Sequence, residues 1–523
     1  MLCDNFFNMK RFLLVLVITA FSADGFSQGI FDALRYADNS INGTARYMSM
    51  AGAFGALGGD ASSMADNPAG LGIYRNSEMT LSANFMTTQT NTNWANMRAS
   101  STDFNFNINN ATIVFASLKR EKERGLIASN VSFAYNRLKN FHRSLDIRSG
   151  NNQNSMTDYM ANSMSDVFNN ASGTSNSLVE SDLNSSADYD PYLDNSSLPW
   201  LSLMGYQGYL INPVDSVNFN SLLASGESQT SHYRAIESGR VDEYGFTYGA
   251  NVSNVFYFGL GFNLQTIDYN ISSGYNESFA YGGGFGLRNS FYTKGVGYNF
   301  KFGAIARVTS FLRLGFSFHT PTYYSMTDRF YTELDYENQY SGIIQSPVGS
   351  SLYRYKTPLK FQTSIAFVIG KKALISCDYL YTNYKGTRLN ENSNTYNYFD
   401  ADNEDIKRDA LVGHTVKVGA EYRVNTSFYV RGGFAYVTPS VSGDAVKWIP
   451  LNTIRTDLEY FKDQGSVYGT GGVGYRTNRF SWDITYAYQH KKELFMPYES
   501  SELVAALVQT NTHNVVTTIA YRF

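Results

Sequence analysis

Leu312-Arg313-Leu314-Gly315-Phe316-Ser317-Phe318-His319 alternates large apolar side chains with small or polar ones, residue by residue. A period of two is the mark of a strand with one oily and one wet face. The alternation returns in Val416, Val418, Ala420, Tyr422 and Val424 against Lys417, Gly419, Glu421 and Arg423, and in Trp482, Ile484, Tyr486 and Tyr488 against Asp483, Thr485, Ala487 and Gln489. Phe428, Val430, Phe434 and Tyr436 repeat it. A soluble sandwich would show the same pattern, so the connections decide. Working outward, strands are expected near 77–90, 102–118, 126–147, 235–250, 254–273, 295–308, 312–334, 351–370, 373–387, 408–424, 427–441, 467–476, 479–493 and 512–523, fourteen in all. Every even-numbered strand ends in a tight connection, such as Asn251 to Ser253, Asn425-Thr426 or Thr477-Asn478, and the odd-numbered ones end in long polar loops. Short turns on one side, long loops on the other and an even count describe an outer-membrane barrel. It must be closed, because bilayer hydrocarbon offers no partner to a sheet edge. Register follows from energy: turning the 312–320 strand by one residue would aim Arg313 at lipid, costing about 2–4 kcal/mol near the midplane. The strands run past the 9–11 residues a crossing needs, so the barrel should stand above the membrane on the loop side.

Composition agrees with that reading. Of 523 residues only 17% are charged, against about 25% in ordinary soluble proteins, and 40 Tyr, 37 Phe and 43 Gly take their place. A formal net charge of -3 excludes a strongly basic nucleic-acid binder. Two Cys, one of them Cys3 in the leading segment, allow neither a disulfide framework nor a Cys-based zinc site. Met9-Lys10-Arg11, the apolar run Phe12 to Phe21 and the small residues Ser22, Ala23 and Ser27 stand in signal-peptide order. A cleaved signal peptide is therefore expected within 1–28, starting at Met9, and no second run of the ~20 apolar residues of a helical span occurs.

Between 29 and 76 the spacing is helical: Tyr47, Met50, Ala51, Phe54 and Leu57 share a face interrupted by Gly52, Gly55, Gly58 and Gly59. Asp60 is placed to cap a short helix through Met64, and Asn67-Pro68 makes a break. Some forty-eight residues without a strand, ahead of a barrel, go to the periplasm or the lumen. The words Gly52-Ala53-Phe54-Gly55-Ala56-Leu57-Gly58-Gly59-Asp60-Ala61-Ser62-Ser63, Asn67-Pro68-Ala69-Gly70-Leu71 and Leu314 to Tyr324 resemble the FadL-like family of outer-membrane transporters for long-chain fatty acids and other hydrophobic compounds. The resemblance implies an all-β fold, a 14-stranded antiparallel transmembrane β-barrel at 77–523 with an N-terminal, partly helical plug at 29–76 in its lumen. It also implies passive uptake of a hydrophobic small molecule that leaves sideways through a gap in the wall. On that reading Met50, Phe54, Leu57, Met64, Asn67 and Pro68 form the ligand path in the plug, as pocket wall and hinge. Arg313, His319, Asp378, Lys417, Glu421, Arg423 and Arg431 give the lumen a polar lining of mixed sign. The closing Tyr521-Arg522-Phe523 resembles the aromatic signature read by the barrel-assembly machinery, and lipids of the outer membrane, including lipopolysaccharide, are expected neighbours.

The loop at 149–231 is rich in Asn, Ser and Asp, unlike the apolar loops of fatty-acid carriers, with isolated apolar words such as Leu198-Pro199-Trp200-Leu201 and Leu203-Met204. It reads either as a solvated excursion or as a lid over the mouth. Relatives that hold exported proteins at the cell surface as part of a secretion system supply the alternative function, a scaffold barrel. Gly469-Thr470-Gly471-Gly472-Val473-Gly474 has dinucleotide-binding spacing but no helix after it, so its glycines are expected to relieve crowding in a strand. The acidic cluster Asp400, Asp402, Glu404 and Asp405 is expected at a loop tip. Six scattered His and the lack of nucleotide, zinc-helix or nucleophile-elbow motifs leave no enzyme, metal or cofactor expected.

Overall fold

Alternation becomes a wall when each strand can satisfy its backbone on both sides. In a computed structural model, which describes residues 28–38, 40–119, 124–169, 182–370, 372–391 and 398–523, that condition is met by closure. The expected signal peptide lies outside the described residues. The strands are β1 (Glu78–Trp94), β2 (Met97–Leu118), β3 (Leu126–Asn140, resumed at Arg143–Asn152), β4 (Gln229–Val252), β5 (Phe256–Phe279), β6 (Gly284–Arg307) and β7 (Leu312–His319, resumed at Tyr323–Glu337). They continue as β8 (Gly349–Lys356, resumed at Lys360–Ile369), β9 (Ala373–Asn383, resumed at Arg388–Glu391), β10 (Val412–Arg423), β11 (Phe428–Val437), β12 (Tyr460–Arg476), β13 (Phe480–Met496) and β14 (Ala506–Arg522). Each pairs antiparallel with its sequence neighbours, and β1 pairs with β14 from Glu78↔Arg522 to Asn93↔Leu507. The protein is a closed 14-stranded antiparallel barrel.

The register is the one the energy of Arg313 demands. Leu314, Phe316, Val416, Val418, Phe428, Val430, Trp482 and Tyr486 stand exposed on the outer wall, whereas Ser317, Asp378, Lys417, Glu421 and Arg431 are buried inside. Two loops differ from expectation. The first was read as spanning 91–101 and the third as spanning 274–294, yet β1 and β2 meet at the two-residue turn Ala95-Asn96, and β5 and β6 meet across Ala280 to Gly283. Ala95 and Asn96 both have positive φ, 47° and 68°, the primed turn whose twist suits a hairpin. These strand ends rise beyond the lipid and no longer need an oily face, so the apolar alternation fades while the pairing continues.

The plug threads the lumen as α1 (Ile30–Ala37), α2 (Ala45–Ser49), α3 (Ser63–Asp66) and a 3-10 turn at Pro68–Ile73. Thr44 caps α2 by accepting from the Tyr47 N–H. Asp60 does not cap α3; its Oδ1 accepts from the Ser62 N–H and the Thr44 hydroxyl instead. The 149–231 segment, expected as a solvated excursion or a lid, is folded over its described residues, 149–169 and 182–231. Its helices α4 (Met156–Asn169), α5 (Pro191–Asp194) and α6 (Trp200–Gln207) bury Met156, Met160, Met164, Trp200, Leu201, Leu203 and Met204 in one apolar cluster that also holds α1. At about 1.5–3 kcal/mol per large side chain, that burial amounts to roughly 10–20 kcal/mol before ordering costs, enough to outweigh the polarity of the loop. The acidic cluster is no loose tip either: it lies on α7 (Asp400–Asp409), where Asp405 pairs with Arg408 at 2.7 Å. Among the described residues no group of three or more His, Cys, Asp or Glu side chains could hold a metal ion.

Candidate functional site: the plugged lumen and the seam between β2 and β3

From Thr44 to Ile73 the plug is fixed to the wall by charge and by close approach. Arg46 makes a bidentate pair with Glu421 at 3.0 and 3.2 Å, and Glu421 also receives Arg431 at 2.5 Å, which in turn reaches Asp483 at 2.6 Å. Lys417 and the Tyr47 hydroxyl converge on the Asp66 carboxylate at 2.8 and 2.5 Å. The His319 Nε2 bonds the Asp66 carbonyl at 2.7 Å, and Arg313 donates to the Leu57 carbonyl at 3.1 Å. Asp378 accepts from the Gly55 N–H at 2.8 Å. Arg423 alone of the predicted lining departs from this pattern. It sits at the turn end of β10, too near the short-turn mouth of the barrel to meet the plug, and donates to the carbonyls of Asn425 and Thr426 in its own turn.

Between these ties the plug backbone lies directly on glycines of seven strands. A Cβ at Gly249, Gly259, Gly303, Gly315, Gly419, Gly433 or Gly472 would run into Leu71, Pro68, Asn67, Gly55, Met50, Ala51 or Ser49 respectively. The glycine-rich word in β12 thus has a packing reason: Gly472 makes room for Ser49, and Thr470 beside it donates to the Ser49 carbonyl at 3.0 Å. Met50, Phe54, Leu57, Met64, Asn67 and Pro68 all fall in this fixed part. Asn67 donates to the Gly55 carbonyl at 2.7 Å and accepts from the Ala69 N–H, so it ties two plug segments together. None of the six lines either of the lumen cavities described next.

The outer part of the plug is held differently. All of α1 but Arg35 is buried, and its polar ties are few: Tyr36 to Thr293 at 3.0 Å, the Tyr355 hydroxyl to the Ala33 carbonyl at 2.6 Å, Lys139 to the Arg35 carbonyl at 2.9 Å, and Asp32 to Arg455 at 3.4 Å. Arg455 belongs to the loop between β11 and β12 and is also paired with Asp457. Although burial acts the other way, the Arg455 guanidinium and Lys447 hold the Asp457 carboxyl well below the usual range. Between α1 and α2, Asp38, Ser40, Ile41 and Asn42 line two cavities at once, of ≈ 170 and ≈ 110 Å³. The larger is walled by Phe31, Phe141, Phe461, Lys139 and Arg143; the smaller by Tyr36, Lys301, His319, Lys360 and Lys417.

The larger cavity backs onto a break in the wall. β2 pairs with β3 only from Asn110↔Asn136 to Leu118↔Ala128; Met97 to Ile108 pair with β1 alone, and Asn109 is skipped at a register shift. Register shifts at Arg137/Lys139 accompany the departure of β3, whose resumed part pairs with β4. Thr92 and Ser101 donate to the carbonyls of Asp146 and Ser144 at 2.6 and 2.5 Å, from the hairpin face opposite the exposed Phe104 and Phe106. The resumed part of β3 has therefore moved inward behind the hairpin. A side-chain bond spans the missing ladder, Asn140 donating to Asn105 at 3.0 Å; Asn107 holds the same Asn105 oxygen at 3.1 Å, and Asn110 donates to Asn136 at 2.7 Å at the last paired position. Outside, at the foot of this seam, Met79, Leu81, Ile113, Phe133, Phe246 and Ile519 line an apolar groove of ≈ 900 Å³ facing the lipid. Sequence reasoning placed no residue at the seam. The Asn run 105–110 was its visible trace, because Asn is a poor strand former whose amide can bridge where a backbone partner is missing.

No protein-family model and no curated protein matches the sequence. Solved structures do match it. A Pseudomonas aeruginosa FadL homologue is similar over 93% of this chain and 100% of its own, with TM-score 0.53 and 12% identity. The P. putida toluene transporter TodX is similar over 92% and 99%, with TM-score 0.51 and 11% identity. At such identity the likeness is one of fold: a FadL-like barrel of the outer-membrane type, stoppered by its own N-terminal segment.

Proposed function

We propose that the protein is an outer-membrane channel for passive uptake of hydrophobic small molecules, which enter through the lid, pass the outer part of the plug and leave through the seam between β2 and β3. One observation carries this reading: the ladder between β2 and β3 is absent over Met97 to Asn109, with a cavity behind the break and an oily groove at its foot, over the part of the two strands that is paired. The likeness to a toluene transporter supports the same class of cargo. The long-chain fatty acid suggested by sequence resemblance is the weaker candidate. A cavity of ≈ 170 Å³ is close to the ~150 Å³ known to hold one benzene ring, and a long acyl chain would not fit within it. No step of this reading calls for catalysis. Export by a cleaved leader and insertion by the barrel-assembly machinery belong to the same proposal.

The test is uptake of radiolabelled toluene by cells whose own channels of this kind are deleted. Expression of the protein should raise the initial rate several-fold over empty vector at equal outer-membrane integrity. Equal rates would remove the proposal. The scaffold alternative draws on apolar side chains left on the outer loops, Leu193, Val214, Tyr281 and Val348, and predicts instead that exported proteins are lost from the cell surface when the chain is absent.

A further inference from the structure

Charge is distributed unevenly along the barrel. The chain as a whole has a formal net charge of -3, yet the short-turn mouth carries cations at nearly every turn. Lys119 and Arg124 flank the β2–β3 turn, Arg75 reaches the β4–β5 turn through a 2.6 Å bond to Asn254, and Arg307 and Arg313 flank the β6–β7 turn. Lys372 lies in the β8–β9 turn, Arg423 ends β10, and Arg476 and Arg479 stand at the β12–β13 turn. None of these comes within 4.0 Å of a carboxylate among the described residues. The acids nearest the mouth are already taken, Glu78 by Arg522, and Glu421 and Asp483 by Arg46 and Arg431. By sequence, residues 120–123 add two charges of each sign, and a carboxylate at Phe523 lowers the excess by one. Folding gains nothing from the arrangement. Arg307 and Arg313 are directly opposite on adjacent strands, where like charges repel. Arg423, Arg431 and Arg476 stand 5.9, 5.7 and 5.5 Å from the centroid of one ring, Tyr429, and the buried Arg476 Nε has no partner among the described residues. An excess kept against such repulsion points to an anion that arrives from outside.

We propose that the short-turn mouth docks an acidic polypeptide segment of another protein. Three features select that occupant. The cations ring the mouth, so a single small anion meets one or two of them, whereas a chain bearing several carboxylates meets the ring. Strand parity then turns Arg307, Arg313, Arg423 and Arg476 toward the lumen, on the side of the buried Ile305, Ser317 and Glu421. The outward positions at the same level are the exposed Val308, Val424, Phe428 and Phe480, so a lipid headgroup outside the wall meets an apolar surface. Finally, all four inward cations are arginines, whose planar fork matches a carboxylate through two parallel bonds. A recess walled by one sign of charge also concentrates the opposite sign before contact is made. The short turns of outer-membrane barrels face the periplasm, which makes the partner a periplasmic protein. The inference takes this orientation from the channel reading and nothing from its cargo.

Fluorescence polarisation of a labelled peptide of alternating Glu and Ser, titrated with the purified, detergent-solubilised protein, tests the inference. At about 50 mM salt one peptide should bind per barrel, and about 200 mM salt should weaken it several-fold through screening. Lys372→Glu with Arg479→Glu, both in exposed turns of the mouth, should weaken the peptide about tenfold. Lys385→Glu with Lys407→Glu makes the same change of net charge at exposed positions of the opposite end and should leave binding unchanged. Arg423→Lys with Arg476→Lys keeps the charge, loses the fork and should weaken the peptide about threefold. No binding at low salt, or an equal loss from the two charge reversals, would overturn the proposal. So would dextran sulfate of equal charge competing as well as the peptide, which would reduce the ring to unspecific charge. Loss of the peptide when the barrel moves from phosphatidylcholine to phosphatidylglycerol nanodiscs would assign the cations to lipid instead. Toluene uptake, measured alongside, should not change with Lys372→Glu and Arg479→Glu, so failure of docking and failure of the channel reading are told apart.

Discussion

The two ends of the plug are held by different forces. The inner end, from Thr44 to Ile73, rests its backbone on wall glycines and is tied by five charged side chains of the barrel, Lys301, Arg313, Asp378, Lys417 and Glu421. The outer end, α1 and the segment to Asn42, touches mainly apolar side chains of the lid and the upper strands, and it borders both cavities. Close-packed backbone with saturated ion pairs has no second arrangement of similar energy, whereas apolar contacts can slide and repack. The comparison assigns any plug movement that the channel reading calls for to the outer end, whose contacts can repack, and not to the end fixed on the wall.

The largest effect should come from forcing the fixed end off the wall. Gly433→Val drives a side chain into the backbone of Met50 and Ala51, while Gly469→Val on the next strand meets nothing within 4 Å. The first should abolish the heat-resistant barrel on semi-native gels or expose residues 29–76 to protease; the second should do neither. Glu421→Gln comes next. It leaves Arg46 and Arg431 with one fewer charge to answer them, and breaking such a buried pair costs about 3–5 kcal/mol. A thermal melt followed by plug proteolysis should show the plug released before the barrel unfolds.

How much of this was legible in the sequence differs between the same two regions. The wall and the fixed plug announced themselves, because lipid enforces period two on every strand and close backbone approach leaves glycines at Gly55, Gly315 and Gly472. Lys417, Glu421 and Arg431 could be placed by parity alone. The seam and Lys139 could not, because the register shift at Arg137/Lys139 breaks parity just where Lys139 lies. For the 149–231 segment a solvated excursion and a lid stayed open for another reason: its apolar residues are spread over three short helices inside a polar segment, and no single window shows their joint face.

Smaller effects belong to the outer end. Trp200→Ala removes a ring buried against Phe330 and Tyr192 and should cost about 3–5 kcal/mol of lid stability. It should speed hydrogen exchange in α4 and α6 with the barrel melt unchanged. The smallest is a pH effect at α7, which packs against α1. Burial, then Asp405 and Asp32, pushes the Asp402 carboxyl up to about 7. A raised carboxyl stabilises the docked helix fully below its unfolded value, near 3.9, and loses that contribution as pH rises through about 7. Exchange in 400–409, corrected for its intrinsic pH dependence, should therefore be faster at pH 8.5 than at pH 5.5, and Asp402→Asn should remove the difference.

The seam is where the account is most exposed. With Cys377→Ser as background, cysteines at Asn105 and Asn140, whose amides bond at 3.0 Å across it, can be joined by a short bifunctional maleimide. Cross-linking should reduce toluene uptake to the level of cells lacking the protein, while the same reagent on either single cysteine leaves it unchanged. Full uptake through a cross-linked seam would contradict lateral exit at this place.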